Sequence, residues 1–137
     1  MAKRRGRKAI EKIRYQEYQR VAEHFYEAAA KDSMELEYWT AAGVLIVHSA
    51  IAYTDALCIK QSGQKSVGES HEDAIALIEE VVAGGEEKMK ALNQLKRIIE
   101  EKNRVSYLGE LYTAADTKEL WKRLVRFHEW AVMILSR

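Results

Sequence analysis

No proline interrupts the 137-residue sequence, and only seven glycines are spread along it. Proline is the residue that most strongly forbids a continued helix, and glycine is the next most costly inside one. A chain with so few obligatory breaks predicts long helices joined by short loops. Hydrophobic residues make up 47% and charged residues 31%, interspersed along the chain, which is a globular composition and not a disordered or fibrous one. A chain of this length fits one domain and buries about two-thirds of the surface that its unfolded form exposes. The expectation is a single all-α domain over residues 1–137.

Apolar spacing divides the chain further. From about Arg7 to Lys31, Tyr15, Tyr18, Ala22, Phe25 and Ala29 recur at steps of three and four, one face of a helix. A second helix is predicted from near Ser33, with Ser33 as its cap and Leu36, Trp39, Gly43, Ile46, Ala50, Tyr53 and Leu57 as its stripe. A parallel stripe of Val44, Val47, Ile51, Thr54 and Cys58 makes it apolar over much of its circumference, so it belongs at the centre. The run from Ala41 to Ile59 is interrupted by His48 and Asp55 and closed by charged flanks, which favours a buried core helix over a membrane span.

Ser62 to Gly68 reads as a polar loop. A short third helix follows, with Ser70 as cap, Asp73 three residues later, Ile75, Ile78 and Val82 inward, and Gly84 and Gly85 at its end. A fourth is expected from about Glu86 to Leu108 with Met89, Leu92, Leu95 and Ile99 inward. After a loop near Gly109 to Ala115, Asp116 or Thr117 can cap a last helix that buries Leu120, Leu124, Phe127, Ala131 and Leu135. The predicted architecture is an antiparallel up-and-down four-helix bundle with an additional short helix.

The net charge is +1, so the molecule as a whole does not attract nucleic acid, but its charge is uneven. Lys3, Arg4, Arg5, Arg7, Lys8, Lys12 and Arg14 crowd the first fourteen residues against Glu11. Residues 1–8 are expected to form a flexible basic end, and Lys3, Arg4, Arg5, Arg7 and Lys8 are the candidate nucleic-acid contacts. The alternative is a merely solvated terminus. Cys58 is the single cysteine, which excludes an intramolecular disulfide and a cysteine-rich zinc site and makes a reducing cytoplasm the expected location. No secretory signal follows the basic start.

Gly63 and Gly68 lack the Lys-Ser/Thr ending of a phosphate loop, and none of His24, His48, His71 or His128 has a glutamate three residues before it, as a di-iron helix pair requires. No cofactor and no metal are expected. His24, beside Glu23 and Glu27, reads as partly exposed, and His48 as a core or dimer-interface residue. His71 reads as local capping or packing, and His128 as packing against a neighbouring helix. Cys58, on an apolar stripe, reads as a structural thiol.

The segment EEKNRVSYLGE, Glu100 to Glu110, passes abruptly from charge to apolar residues at Asn103 and Arg104. Asn103, Arg104 and Tyr107 resemble the Arg-centred motif late in the fourth long helix of the HEPN family. The tract from Tyr38 to Glu80, with Ser70 and His71, is similar to that family's central helix and the start of its next helix. The likeness spans roughly residues 36 to 135. The family's metal-independent ribonucleases place His after Arg and four to six intervening residues, with a polar residue next to the Arg, so that an acid and a base flank a phosphate held by arginine. Here Val105 follows Arg104, and Gly109, Glu110 and Leu111 stand where His belongs. The resemblance therefore implies a non-catalytic interaction module. That module is expected to be a homodimer that acts with a nucleotidyltransferase-type partner or binds nucleotide or nucleic acid. A degenerate, toxin-like ribonuclease acting on RNA is the alternative.

Overall fold

A computed structural model describes residues 6–67, 71–106 and 112–137, the side chains of residues 30, 31 and 103–106 excepted. Among these residues the protein is mostly helical, in keeping with the all-α expectation. Its centre is α2 (Trp39–Ser62), on which α1 (Tyr15–Glu27), α3 (Glu72–Val81), α4 (Glu86–Ser106) and α5 (Ala114–Leu135) all pack. Ile46, Val47, Tyr53, Leu57 and Ile59 are buried on several sides of α2, and burial of each such side chain contributes about 1.5–3 kcal/mol. The buried serine and threonine of this helix are hydrogen-bonded: Ser49 Oγ donates to the Ala22 carbonyl at 2.9 Å and Thr54 Oγ1 to the Ala50 carbonyl at 2.8 Å. α2 is the one described helix long and apolar enough to cross a membrane, and most of it is buried inside the protein. It stops at Gly63, whose φ of +69° suits glycine. A Cβ there would stand 3.3 Å from the Ile10 carbonyl oxygen.

The remaining helices take their directions from α2. α1 runs antiparallel to it, with Ala22 opposite Ser49 and Phe25 opposite His48. α5 runs alongside in the same direction and is fastened at both ends. Thr117 Oγ1 donates to the Trp39 carbonyl at 2.9 Å, and Lys60 Nζ to the Leu135 carbonyl. α4 is antiparallel to α5: Arg123 bonds Gln94 at 3.3 Å, and the Tyr112 hydroxyl donates to Glu101 at 2.6 Å.

Several helix ends differ from expectation. Thr113, and not Asp116 or Thr117, caps α5: its hydroxyl accepts from the Asp116 N–H and the Asp116 carboxylate accepts from the Thr113 N–H, both at 3.1 Å. Asp116 thus serves the cap from the first turn. α2 does not start at Ser33. The three alanines after Glu27 carry the chain on into a π-helical turn, Ala28–Ser33, closed by Met34 N–H to Ala29 at 3.1 Å. Ser33 is buried there and its carbonyl accepts from Tyr38 N–H at 2.8 Å. Leu36 lies in the ensuing turn, exposed, and Glu37 takes φ +60° to reverse the chain. Met89 is 67% exposed. At 100° per residue it lies about 120° from Leu95, off the face that Ala91, Leu92, Leu95 and Ile98 bury. His71 occupies the position before α3 without a capping bond, and Ser70 lies outside the described residues.

The polar loop after α2 holds a strand. β2 (Gln64–Ser66) pairs antiparallel with β1 (Arg7–Ala9), Lys8 opposite Lys65. The flanking bonds Ile10 N–H to Gly63 at 2.8 Å and Val67 N–H to Gly6 extend the ladder. Arg7 and Lys8, expected in a flexible end, are therefore part of the fold. Backbone pairing and the side-chain anchorage of Arg7 replace the disorder that a run of basic residues suggests.

Candidate functional site

Where α1 and α2 meet through the small residues Ala22 and Ser49 they pack closely, and along one flank they leave an outward groove of about 360 Å³. α1 contributes Tyr18, Val21 and Phe25, and α2 contributes His48, Ile51 and Asp55, each set at steps of three and four. These spacings put each set on one helical face. Val21 is 47% exposed. At one end Phe25 and His48 lie with ring centroids 5.5 Å apart. At the other end Arg14 and Glu17 form an exposed ion pair at 2.7 Å.

Asp55 is the chemically distinctive member. Its side chain is 14% exposed, and its cationic partner among the described residues is Lys65, whose Nζ stands 3.7 Å from Oδ2. That is longer than the roughly 2.7–3.2 Å of a hydrogen bond. Burial pushes the Asp55 carboxyl up to about 6, against the pull of Lys65. The same ammonium lies 5.2 Å from the Tyr18 ring centroid, within range of a cation–π contact. The groove therefore offers apolar walls, aromatic rings at Tyr18, Phe25 and His48, and one largely desolvated carboxylate at Asp55. Its volume falls in the range of small-molecule sites, about 300–1,000 Å³.

A second cleft of about 280 Å³ lies between α4 and α5, lined by Arg97, Glu100, Glu101, Tyr112, Asp116 and Arg123. Its charges are largely engaged with one another. Glu101 accepts from Tyr112, Asp116 serves the α5 cap, and Arg123 pairs with Glu119 at 3.2 Å. Asn103 and Arg104 follow on the last turn of α4, but their side chains lie outside the described residues, as does Tyr107.

Of the basic candidates, Lys3, Arg4 and Arg5 lie outside the described residues. Arg7 is turned inward: its side chain is 8% exposed, with Nη1 at 2.6 Å from Glu80 and Nε at 3.4 Å from Asp73. Two α3 carboxylates already neutralise the charge that a phosphate would need. Lys8 is exposed. Neither Arg7 nor Lys8 lines the groove.

His48 is exposed on the groove rim, not in the core. His24 is exposed. His128 packs as expected, stacked on Tyr26 at 4.0 Å and edge-on to Tyr53 at 5.2 Å, and burial lowers its pKa against the pull of Glu23 and Glu129. Burial, then Lys102 and His48, lower that of His71. Burial holds the Cys58 thiol protonated, as expected of a structural cysteine. No group of three or more His, Cys, Asp or Glu is placed to hold a metal ion among the described residues.

Sequence reasoning did not single out Val21, Ile51 or Asp55 as a site. The signal was present: His48 and Asp55, which break the apolar run of α2, are seven residues apart and so share a face. No family model, curated protein or solved structure matches the chain.

Proposed function

We propose that the chain is a non-catalytic interaction module, HEPN-like in kind and homodimeric, whose working surface is the α1–α2 groove. The observation that carries this reading is the groove itself, a largely apolar trough whose carboxylates, Asp55 and Glu17, are paired with Lys65 and Arg14. Such a surface accepts apolar matter and repels phosphate. Of the associates that the resemblance implies, the groove chemistry thus favours a protein such as a nucleotidyltransferase-type partner over nucleotide or nucleic acid. The inward, neutralised Arg7 weighs the same way. The antiparallel pairing of α1 with α2 and of α4 with α5 supports an up-and-down four-helix bundle with α3 as the added short helix. The cytoplasm is the proposed location.

Two titrations test the reading. A neutral apolar fluorescent probe should bind the wild type at one site and lose that binding in Val21→Glu, with the helical circular dichroism retained. Labelled RNA should be neither cleaved nor bound at physiological salt. Steeply salt-dependent RNA binding would overturn the preference for a protein partner, and cleavage abolished by Arg104→Ala would overturn the non-catalytic reading in favour of a ribonuclease.

A further inference from the structure

Of the two carboxyls that line the groove, Asp55 is the one that the fold has already taken largely out of water. Its side chain is 14% exposed, against 61% for Glu17. From β2, Lys65 Nζ stands 3.7 Å from it, beyond hydrogen-bond length, and burial outweighs the pull of that ammonium. From α1 come the Tyr18 ring and, at the exposed rim, Arg14 and Glu17, which pair with each other at 2.7 Å. One turn further along α2 is the Cys58 thiol, which burial holds protonated, and Arg7 of β1 is taken up by Asp73 and Glu80. Among the described residues Lys65 is thus the one cation set against Asp55, and it compensates the ionised form only in part.

Resting on the groove as the working surface, we propose that covering it with an apolar face is coupled to the uptake of a proton by Asp55, so that the groove is pH-regulated and binds more tightly in mildly acidic solution. An apolar face laid along Val21 and Ile51 removes the water that still reaches the Asp55 side chain. The neutral acid loses little by this and the ion loses much. The covered groove therefore favours the protonated carboxyl, and by linkage the protonated carboxyl favours the covered groove. In the uncovered protein the carboxyl titrates at about 6, which places the effect near neutral pH. Each unit by which covering raises it further is worth about tenfold in affinity between the acid and alkaline limits. An imidazole gains charge in acid where a carboxyl loses it, so His48, at the other end of the groove, works against Asp55.

Titration of the protein with N-phenyl-1-naphthylamine, a neutral apolar fluorophore, at about pH 5 and about pH 8 tests this. The wild type should bind it roughly tenfold more tightly at the lower pH. Calorimetry near neutral pH, in buffers of different ionisation heat, should show protons taken up as the probe binds. Asp55→Asn should lose both the preference for the lower pH and the proton uptake, and His48→Gln should steepen the preference. Equal affinity at the two pH values, or a preference for the lower pH that survives in Asp55→Asn, would overturn the coupling while leaving the apolar groove standing. Failure of the probe to bind at either pH would remove both readings.

Discussion

Replacing Asp55 by asparagine should stabilise the protein at neutral pH, although it removes one member of an ion pair. The carboxyl titrates at about 6 in the folded protein against an ordinary 3.8, because burial outweighs the attraction of Lys65. Between those values the folded state holds a proton that the unfolded chain has released, so stability falls as pH rises through this window and is level above it. At about 1.4 kcal/mol per pH unit, the ionised carboxylate costs on the order of 3 kcal/mol at pH 7.5. Asparagine keeps the shape without the charge, but its amide must still be desolvated, so about 1–2 kcal/mol of gain is expected. For a chain of this size the midpoint should rise by roughly 3–8 °C. Thermal unfolding at pH 7.5 and near pH 4, wild type against Asp55→Asn, measures it. The advantage should be present at pH 7.5 and mostly gone near pH 4. A variant less stable than the wild type at pH 7.5, or a gain equal at both pH values, would refute the reasoning.

Arg7→Ala should lower stability by about 1–2 kcal/mol by urea denaturation, because it leaves Asp73 and Glu80 without the guanidinium between them; no change would mean that the Arg7 ion pairs do not anchor the strand. Thr113→Ala, which opens the reciprocal cap of α5, should cost about 1 kcal/mol by the same measurement. Light scattering at high micromolar concentration should return a dimer mass, and a monomer there would count against the homodimer. Met89→Ala should leave the thermal midpoint almost unchanged, whereas Leu95→Ala should cost about 2–5 kcal/mol, since Met89 is exposed and Leu95 is fully buried.

The helical content and the central place of α2 were legible because they depend on spacing and on the absence of proline, both local properties. What escaped was decided by contacts distant in sequence. Arg7 reads as one of a basic cluster, and nothing near it announces Asp73 and Glu80. The strand at Gln64–Ser66 exists through a partner nearly sixty residues away, so loop composition could not reveal it. Ser33 has the chemistry of a cap and was passed over because the alanines before it let a wide turn carry the chain five residues further, to Tyr38. Met89 shows the limit of a three-and-four pattern, in which one mis-phased member looks as good as the rest. The groove lay between the two kinds of information. Its α2 side was written in the His48 and Asp55 interruption, but its α1 side, Val21, is an ordinary apolar residue until the two helices are set side by side.

The pairing of β1 with β2 has a mechanical meaning for those two helices. α1 and α2 are joined by the turn at 34–38, and the strands that precede α1 and follow α2 are themselves joined, so residues 7 to 66 form a ring closed at both ends. Two helices joined at one end can scissor or slide by a turn; in a ring, either motion must first break the strand pair. The groove between them thus has a fixed width and a fixed register. Its Asp55 corner lies next to the seal, with Lys65 supplied by the sealing strand itself. Loosening the first nine residues would change the shape of a site that none of them lines.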